Sequence, residues 1–267
     1  MKDTRYSRRE YLKRIRMENN LVKACQIITV FAFLILWEIA AQQGFIDPFI
    51  VSSPVRMTEM FFRMAKSDLW LHILYTVGET FAGFSIGVAA GFVVAVGLWF
   101  SPFSNRVFAP FLVVLNSLPK IALGPVIIVW AGAGMSAIIT MAVAISLIVT
   151  VMELSQGFNA TDPNLLKTVE SFGADRWQSF FKIVLPCNIP VLFRSLKVNL
   201  GLSLVGVIAG EFLVSKAGLG YLIVYAGQVF KMDLVMMSVV LLGFIAFVMY
   251  SAISLLEKAV IKLINHI

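Results

Sequence analysis

The sequence predicts an all-α, polytopic membrane protein with six transmembrane helices. Three properties of the 267-residue chain predict this class: 59% of its residues are hydrophobic, only 14% are charged, and the mean hydropathy is +0.88. Soluble domains carry roughly 25% charged residues, and a soluble fold could not bury this much apolar surface. The composition therefore excludes a soluble enzyme, a disordered protein and a disulfide-stabilised secreted module.

Six stretches of the chain are long and apolar enough to cross a bilayer, which takes about 20 residues of α-helix. The predicted spans are residues 24–43, 74–100, 107–130, 137–158, 190–214 and 234–257. The first exceeds the roughly 7–15 apolar residues of a secretory signal, so we predict that it is an uncleaved span. Residues 24–267 are thus predicted to form one transmembrane domain.

Glycine and proline give the second and third spans distinct characters. Gly83, Gly87 and Gly91 recur every four residues in the second span, and small residues at this spacing let a neighbouring helix approach closely. Proline interrupts the hydrogen bonds of a helix, so we expect the third span to be broken. Its prolines are Pro110, Pro119 and Pro125.

Residues 48–68, between the first two spans, contain a predicted short helix. Ser53 is suited to cap its N-terminus, and Pro54 to occupy its first turn. Met57 and Phe61 follow at helical spacing. An amphipathic helix next to a span is typical of the membrane interface.

The distribution of basic residues predicts the orientation in the membrane. Residues 1–23 carry eight of the 22 Lys and Arg side chains, and more flank the loop between the fourth and fifth spans. The loops on the other side carry Arg56, Arg63, Lys66, Lys216 and Lys231. Because cytoplasmic loops are enriched in basic residues, we expect a multi-pass protein of the bacterial plasma (inner) membrane with both termini in the cytoplasm.

The basic N-terminal segment, residues 1–23, has two interpretations. As an amphipathic helix it would lie on the inner leaflet, with Leu12 and Ile15 toward the lipid and the basic side chains toward anionic headgroups. As a tail it would bind a regulatory partner. We expect no nucleic-acid partner, because this charge serves first as an orientation signal.

The longest predicted inner loop, residues 159–189, encodes two short helices rather than a flexible linker. Asp162 followed by proline starts the first helix, Gly173 ends it, Asp175 caps the second, and Pro186 prevents its simple continuation. The first helix has an apolar face formed by Leu165, Leu166, Val169 and Phe172. Such a hairpin either lies on lipid or docks into a groove of a soluble partner.

This loop resembles the EAA loop of bacterial ABC importer permeases. That motif consists of Glu-Ala-Ala, three residues, Gly, nine residues, Ile, one residue and Leu-Pro. Gly173, Ile183, Leu185 and Pro186 stand at the matching positions. Similarity to the nitrate/sulfonate/taurine-type branch extends over residues 76–84, 117–125, 130–134 and 211–220.

The chain departs from the family pattern at two places. Lys167, Thr168 and Val169 replace the Glu-Ala-Ala start, and Glu170 is a candidate replacement for the missing charge. Glu79 stands where that branch usually has Arg. These departures affect ionic contacts rather than the helical pattern.

The resemblance implies a type I ABC importer permease. Such a subunit pairs with a second permease subunit, here expected to be a homodimer, and it carries two cytoplasmic ATPase subunits and receives solute from an extracytoplasmic binding protein. No G-x-x-x-x-G-K-[ST] phosphate loop occurs, so ATP and Mg are expected on the partner ATPases, with no cofactor, metal or catalytic residue here. The expected solute is small and anionic or organic-acid-like. The implied ATPase-coupling residues are Leu165, Leu166, Lys167, Val169, Glu170, Phe172, Gly173, Ala174, Trp177, Ile183, Leu185 and Pro186.

Polar and proline residues inside the spans are candidates for the translocation path or its gate, because ionisable groups in a membrane are often functional. Lys120 is expected either to attract an anionic solute or to pair with Glu79. Glu211 is expected at an outer gate, at the binding-protein contact, or in packing. Asn199 and Ser203 share a face and would line the path or bond between helices. The remaining candidates are Asn116, Ser117, Pro119 and Pro125.

Two other functional classes are open to a chain of this composition. A stand-alone secondary transporter or channel would need coupling-ion carboxylates at mid-membrane, where Glu79 is the single candidate, and transporters of that kind often contain internal repeats. A membrane-embedded enzyme would need a catalytic cluster. The two histidines, His72 and His266, are far apart in sequence and form no such pattern.

Overall fold

A computed structural model describes residues 8–264, and the described residues form helices and no strand. The all-α prediction is confirmed. The α-helices are α1 (Arg8–Gln42), α2 (Pro48–Val51), α3 (Pro54–Ala65), α4 (Leu69–Phe100), α5 (Pro102–Ser117), α6 (Gly124–Ala131), α7 (Met135–Asn159), α8 (Pro163–Ser171), α9 (Arg176–Ser179), α10 (Leu185–Cys187), α11 (Ile189–Val214), α12 (Leu219–Gln228) and α13 (Met232–Ile264). A 3₁₀ turn, Lys120–Leu123, precedes α6, and a π-helical turn, Phe180–Val184, follows α9.

Within the described residues, five helices are long and apolar enough to cross a membrane: α1, α4, α7, α11 and α13. The sixth candidate is the pair formed by α5 and residues 120–131, which bend by 85° relative to each other. The break that we predicted in the third span is therefore present, and it lies at Pro119. Pro110 stays inside α5, and Pro125 occupies the first turn of α6, where a missing N–H costs little.

The basic N-terminal segment continues the first span. Residues 1–7 lie outside the described residues, and from Arg8 onward α1 runs to Gln42 with no break at residue 24. The change from the basic segment to the apolar span therefore falls within one helix.

Three helices, α4, α7 and α11, form the centre of the bundle. A side chain added at Gly83, Gly87 or Gly91 would collide with α7, for example coming within 2.6 Å of the Thr150 Cβ atom at Gly91. The predicted close approach is confirmed, and α7 is the neighbour. Gly206 and Gly210 of α11 also meet α7, so α7 lies between the other two.

The two ends of the bundle are built differently. Phe100, at the end of α4, contacts the residues of α9, whereas Leu69, at its start, packs with α12 and α13. We call these the loop end and the opposite end. The expected cap of α3 is confirmed, since Ser53 Oγ accepts from Arg56 N at 3.4 Å. However, Met57 is buried against the bundle, so the apolar face of α3 packs on protein rather than on lipid.

Candidate functional site

The 159–189 loop folds into a hairpin, as predicted: α8 and α9 are joined by a turn at Gly173, and the π-helical turn and α10 continue from α9. Asp162 Oδ1 accepts from Asn164 N at 2.8 Å and caps α8. Gly173 follows α8 with φ of +83°, a conformation that glycine adopts without strain. Asp175 then caps α9 through a reciprocal capping box with Gln178. Each turn of the hairpin is therefore set by local hydrogen bonds.

Aromatic packing joins this hairpin to the ends of α4 and α7. Phe180 is fully buried, and its ring centroid lies 5.1 Å from that of Trp99 and 5.3 Å from that of Phe158. Trp177 packs on Phe100 at 4.4 Å. A displacement of the hairpin must therefore move the ends of both spans or break this packing.

The other side of the hairpin is exposed. Phe172, beside the turn at Gly173, is 86% exposed, although burying a Phe side chain is worth about 1.5–3 kcal/mol. Leu165, Trp177 and Phe181 are also exposed in part or in full. Leu166 instead packs inward on the aromatic cluster. The predicted apolar face of α8 is therefore divided, with Leu166 toward the bundle and Leu165 and Phe172 exposed.

The remaining residues predicted for ATPase coupling divide in the same way. Lys167, Glu170, Gly173 and Pro186 are exposed on the hairpin surface. The residues that are half-buried are Val169, Ala174, Ile183 and Leu185. Lys167, Glu170 and Gly173 of the exposed set are close to Phe172 in the chain, and Leu185 of the half-buried set packs on the aromatic cluster.

Lys120 lies at the bend of the third span and does not pair with Glu79, contrary to one of our expectations. Its Nζ atom donates to the Asn116 carbonyl at 2.9 Å and to Asn116 Oδ1 at 3.1 Å. The last carbonyls of a helix have no partner within it, so this lysine caps the end of α5. Ser117 Oγ donates to Val113 O, and Pro119 and Pro125 are exposed beside the bend.

Asn199 and Ser203 neither line an open path nor bond between helices in this structure. Both are fully buried. Asn199 Nδ2 donates to the carbonyl and hydroxyl oxygens of Ser195, at 2.9 and 3.1 Å, within the same helix. Among the described residues, the Asn199 Oδ1 and Ser203 Oγ atoms have no hydrogen-bond partner.

At the opposite end, Glu211 lies in a buried polar cluster rather than at an open gate. Its carboxylate accepts from Thr76 Oγ1 at 2.6 Å and from Gly220 N at 2.5 Å. Glu79 is adjacent and also buried. The structure thus brings together two residues that the sequence analysis had treated separately.

Thr76 and His72 complete this cluster, and neither was among the predicted site residues. Thr76 Oγ1 also accepts from Leu219 N at 2.8 Å, and His72 Nδ1 accepts from Gly218 N at 3.0 Å. The sequence did contain a signal that Glu79 faces a neighbouring helix, because Glu79 lies four residues before Gly83 and so continues the glycine face of α4. That register places Glu79 toward a neighbouring helix.

The protein-family match and the similar proteins of known name point to the same family. The binding-protein-dependent transport system inner membrane component family matches residues 87–265. The riboflavin transport system permease protein of Chloroflexus aurantiacus is 26% identical over 236 residues, covering 88% of each chain. The taurine transport system permease protein of Escherichia coli is 22% identical over 236 residues, covering 86% of each chain.

Solved structures share the fold at low sequence identity. A methionine ABC transporter, in an inward-facing form, matches with a TM-score of 0.65 and 20% identity over 72% of this chain and 95% of that one. A bacterial ABC transporter that imports alginate matches with a TM-score of 0.64 and 15% identity over 94% of this chain and 99% of that one. The fold is that of a type I ABC importer permease.

The family match covers more than half of the chain and includes the 159–189 loop, and it agrees with the membrane-spanning character of the helices. The named relatives are transport permeases rather than enzymes. The chain therefore belongs to the family of binding-protein-dependent transport system inner membrane components, and it is the multi-pass permease subunit of an ABC importer.

Proposed function

We propose that this permease couples ATP hydrolysis by two cytoplasmic ATPase subunits to solute uptake through its 159–189 loop. The observation that carries the proposal is the exposure of Phe172 on a hairpin whose other side is packed into the bundle. An exposed aromatic side chain on a rigid support is the kind of group that anchors protein interfaces. A groove on the ATPase that receives α8 would bury it.

The packing of the hairpin supports a mechanical role. Phe180 and Trp177 contact the ends of α4 and α7, so closure of two ATPases would displace these spans together with the loop. The ATPase must bind the two states of the permease with different affinity, because a partner with equal affinity shifts no equilibrium. The rest of α4 and α7 would carry the displacement to the opposite end.

A second copy of the chain is the proposed partner within the membrane. In α5 no residue is buried, and two polar residues lie next to the bend, Asn116 at the end of α5 and Lys120 in the 3₁₀ turn after it. Lipid tails cannot solvate such groups, so we assign this face to a water-filled path between two subunits. An extracytoplasmic binding protein would deliver the solute, and both termini would lie in the cytoplasm with the 159–189 loop.

For the solute, we propose a small organic compound with an anionic group. Lys120 supplies a cation at the bend. Its ammonium group has three N–H donors, and two of them are used in hydrogen bonds to Asn116, which leaves one for an anionic group. The similar proteins are named for aliphatic sulfonates and taurine, and also for riboflavin and formylaminopyrimidine. Competition for uptake by sulfonates and carboxylates, compared with neutral analogues of equal size, measures this preference.

Substitution of Phe172 by aspartate tests the coupling role. We expect the Phe172→Asp chain to insert and fold normally, because the side chain is exposed, but to lose co-purification with the ATPase and uptake. Phe45→Asp is the matched control, since Phe45 is 81% exposed and lies after the far end of α1. Retention of the ATPase by Phe172→Asp, or ion-gradient-driven uptake by this chain alone, would contradict the proposal.

A further inference from the structure

Glu79 and Glu211 form a buried pair of carboxyl groups at the opposite end. They are 2% and 1% exposed, and they are neighbours, because Glu211 accepts from Thr76, which lies three residues before Glu79 on α4. Within residues 8–264, no salt bridge involves either residue. Two carboxylates this close and this buried cannot both be ionised without a large energetic cost.

The hydrogen bonds distinguish the two groups. Glu211 accepts one bond on each oxygen, from Thr76 Oγ1 and from Gly220 N. The Thr76 hydroxyl has one hydrogen, and it is directed to Glu211 because Thr76 Oγ1 itself accepts from Leu219 N. Gly220 N is also in the first turn of α12, where the helix dipole favours negative charge. These donors favour the ionised form of Glu211.

Glu79 has the opposite surroundings. Its Oε2 atom has no hydrogen-bond partner in the described part of the chain. A buried carboxylate oxygen without a donor is costly, whereas a carboxylic acid can donate its own hydrogen to a neighbour. Glu211 is the acceptor within reach.

In the described part of the chain no Lys, Arg or His side chain forms a salt bridge with Glu79, and Lys197 of the neighbouring α11 pairs with Glu257. His72 accepts from Gly218 N through Nδ1, so that nitrogen carries no proton, and its ring stacks on Tyr221 of α12. The sequence of α7 has no charged or histidine residue between positions 135 and 152. The charged side chains of α3 are exposed, and Asp233 of α13 bonds to Ser52.

We propose that Glu79 is a proton-binding site: in the folded protein at neutral pH it is a carboxylic acid whose O–H donates to ionised Glu211. This bond joins α4 to α11, and the same Glu211 carboxylate holds the turn before α12. A Cβ atom at Gly220 would lie 2.7 Å from Glu211 Oε2, so the turn is shaped around the carboxylate. The bound proton thereby fastens three elements at the end opposite the 159–189 loop.

The proposal has a defined sign with respect to pH. An exposed Glu in the unfolded chain titrates near pH 4.3, to within about one unit, so at neutral pH the folded chain holds a proton that the unfolded chain has released. The stability that this proton contributes is therefore fully present below about pH 4.3 and falls as the pH rises through neutral and above, since the unfolded state binds fewer protons. Loss of the proton leaves two adjacent buried carboxylates and loosens the α4–α11 contact.

Infrared spectroscopy of the full-length permease in lipid nanodiscs tests the assignment. We expect the carbonyl band of a protonated carboxylic acid at neutral pH, its loss in Glu79→Gln, and its retention in the control Glu59→Gln, which changes an exposed carboxylate on α3. Because this comparison depends on Glu79→Gln folding, a pH titration of the band in the wild-type chain provides a second measurement. Absence of the band at neutral pH, or its persistence in folded Glu79→Gln, would refute the proposal.

Thermal unfolding measures whether the Glu79 proton stabilises the fold beyond the packing of the side chain. Glu79→Gln keeps a donor for Glu211, so we expect wild-type-like stability at neutral pH and a weaker decline as the pH rises. Glu79→Leu removes the donor, and we expect it to be less stable than Glu79→Gln at neutral pH. Equal stability of the two variants, or an unchanged pH profile in Glu79→Gln, would show that the proton contributes nothing.

Discussion

The two ends of this permease use different chemistry to hold α4 to its neighbours. At the loop end, aromatic rings join the hairpin to α4 and α7, and Phe172 and other large apolar side chains remain exposed. At the opposite end, Glu211 and its neighbours hold α4, α11 and the turn before α12 through buried hydrogen bonds. The contacts that hold the hairpin at the loop end are thus mainly aromatic, whereas those around Glu211 at the opposite end are polar and made within one chain.

Two kinds of side chain that both look functional in the sequence, buried polar groups and exposed apolar groups, therefore have different roles in the fold. Buried polar groups cost free energy unless they are hydrogen-bonded, so the cluster around Glu211 depends on each of its members. Exposed apolar groups contribute nothing to the isolated fold, so Phe172 can change without affecting stability. Substitutions at the two ends should therefore affect different measurements.

The largest effect is expected for Glu211→Ala. This change leaves the Thr76 hydroxyl, the Gly220 N–H and the Glu79 carboxyl without their shared partner, and breaking a buried charged network costs about 3–5 kcal/mol. Thermal unfolding in detergent measures the loss. An exposed substitution at the same end, Phe45→Ala, is the control and should leave stability unchanged. Equal stability of the two variants would remove the distinction between the ends.

The sequence was sufficient for the helices and their caps, because those depend on neighbours in the chain. Asp162, Ser53 and Asp175 each cap the helix that the pattern predicted. The glycine spacing of the second span also predicted a close helix, although it did not identify α7. Local rules reach this far because the relevant contacts lie within one or two turns.

The contacts between distant segments could not be predicted in the same way. Glu79 and Glu211 are 132 positions apart (211 − 79), and their approach depends on how α4 and α11 pack. A pair between Lys120 and Glu79 was one of two expectations based on charge, but the partner of Lys120 is Asn116, four residues earlier at the end of α5. Proline gave the position of the break at Pro119 and not its 85° angle, because a lost hydrogen bond does not fix direction.

Gly173→Val should have an intermediate effect that falls on coupling rather than on insertion. A left-handed backbone costs L-residues roughly 1–2 kcal/mol, and a β-branched side chain is among the least suited to the φ of +83° found here. Nothing lies within 4 Å of an added Cβ atom, so the effect is conformational and not steric. Gly173→Asn is the control, because asparagine tolerates this conformation.

Uptake, normalised to the amount of permease in the membrane, is the measurement for these two variants. We expect lower uptake for Gly173→Val and nearly normal uptake for Gly173→Asn, with equal membrane insertion. If both variants transport alike, the angle between α8 and α9 is unimportant for coupling, and the loop end tolerates a change in its backbone conformation. The comparison between the ends would then rest on Phe172 alone.

The smallest effect is expected for Arg176→Ala, which removes a hydrogen bond between the hairpin and the end of α4. Arg176 Nη1 donates to the Phe100 carbonyl at 3.0 Å, and that carbonyl belongs to the last turn of α4. Both groups are reachable by water, so the loss should lie near the lower end of the 0.5–1.5 kcal/mol typical of a hydrogen bond, about 0.5 kcal/mol. Thermal unfolding should shift slightly in Arg176→Ala and not in Arg63→Ala, an exposed arginine at the opposite end. A loss comparable to that of Glu211→Ala would mean that the hairpin is held by this bond rather than by the packing of Phe180, and that both ends depend on polar contacts.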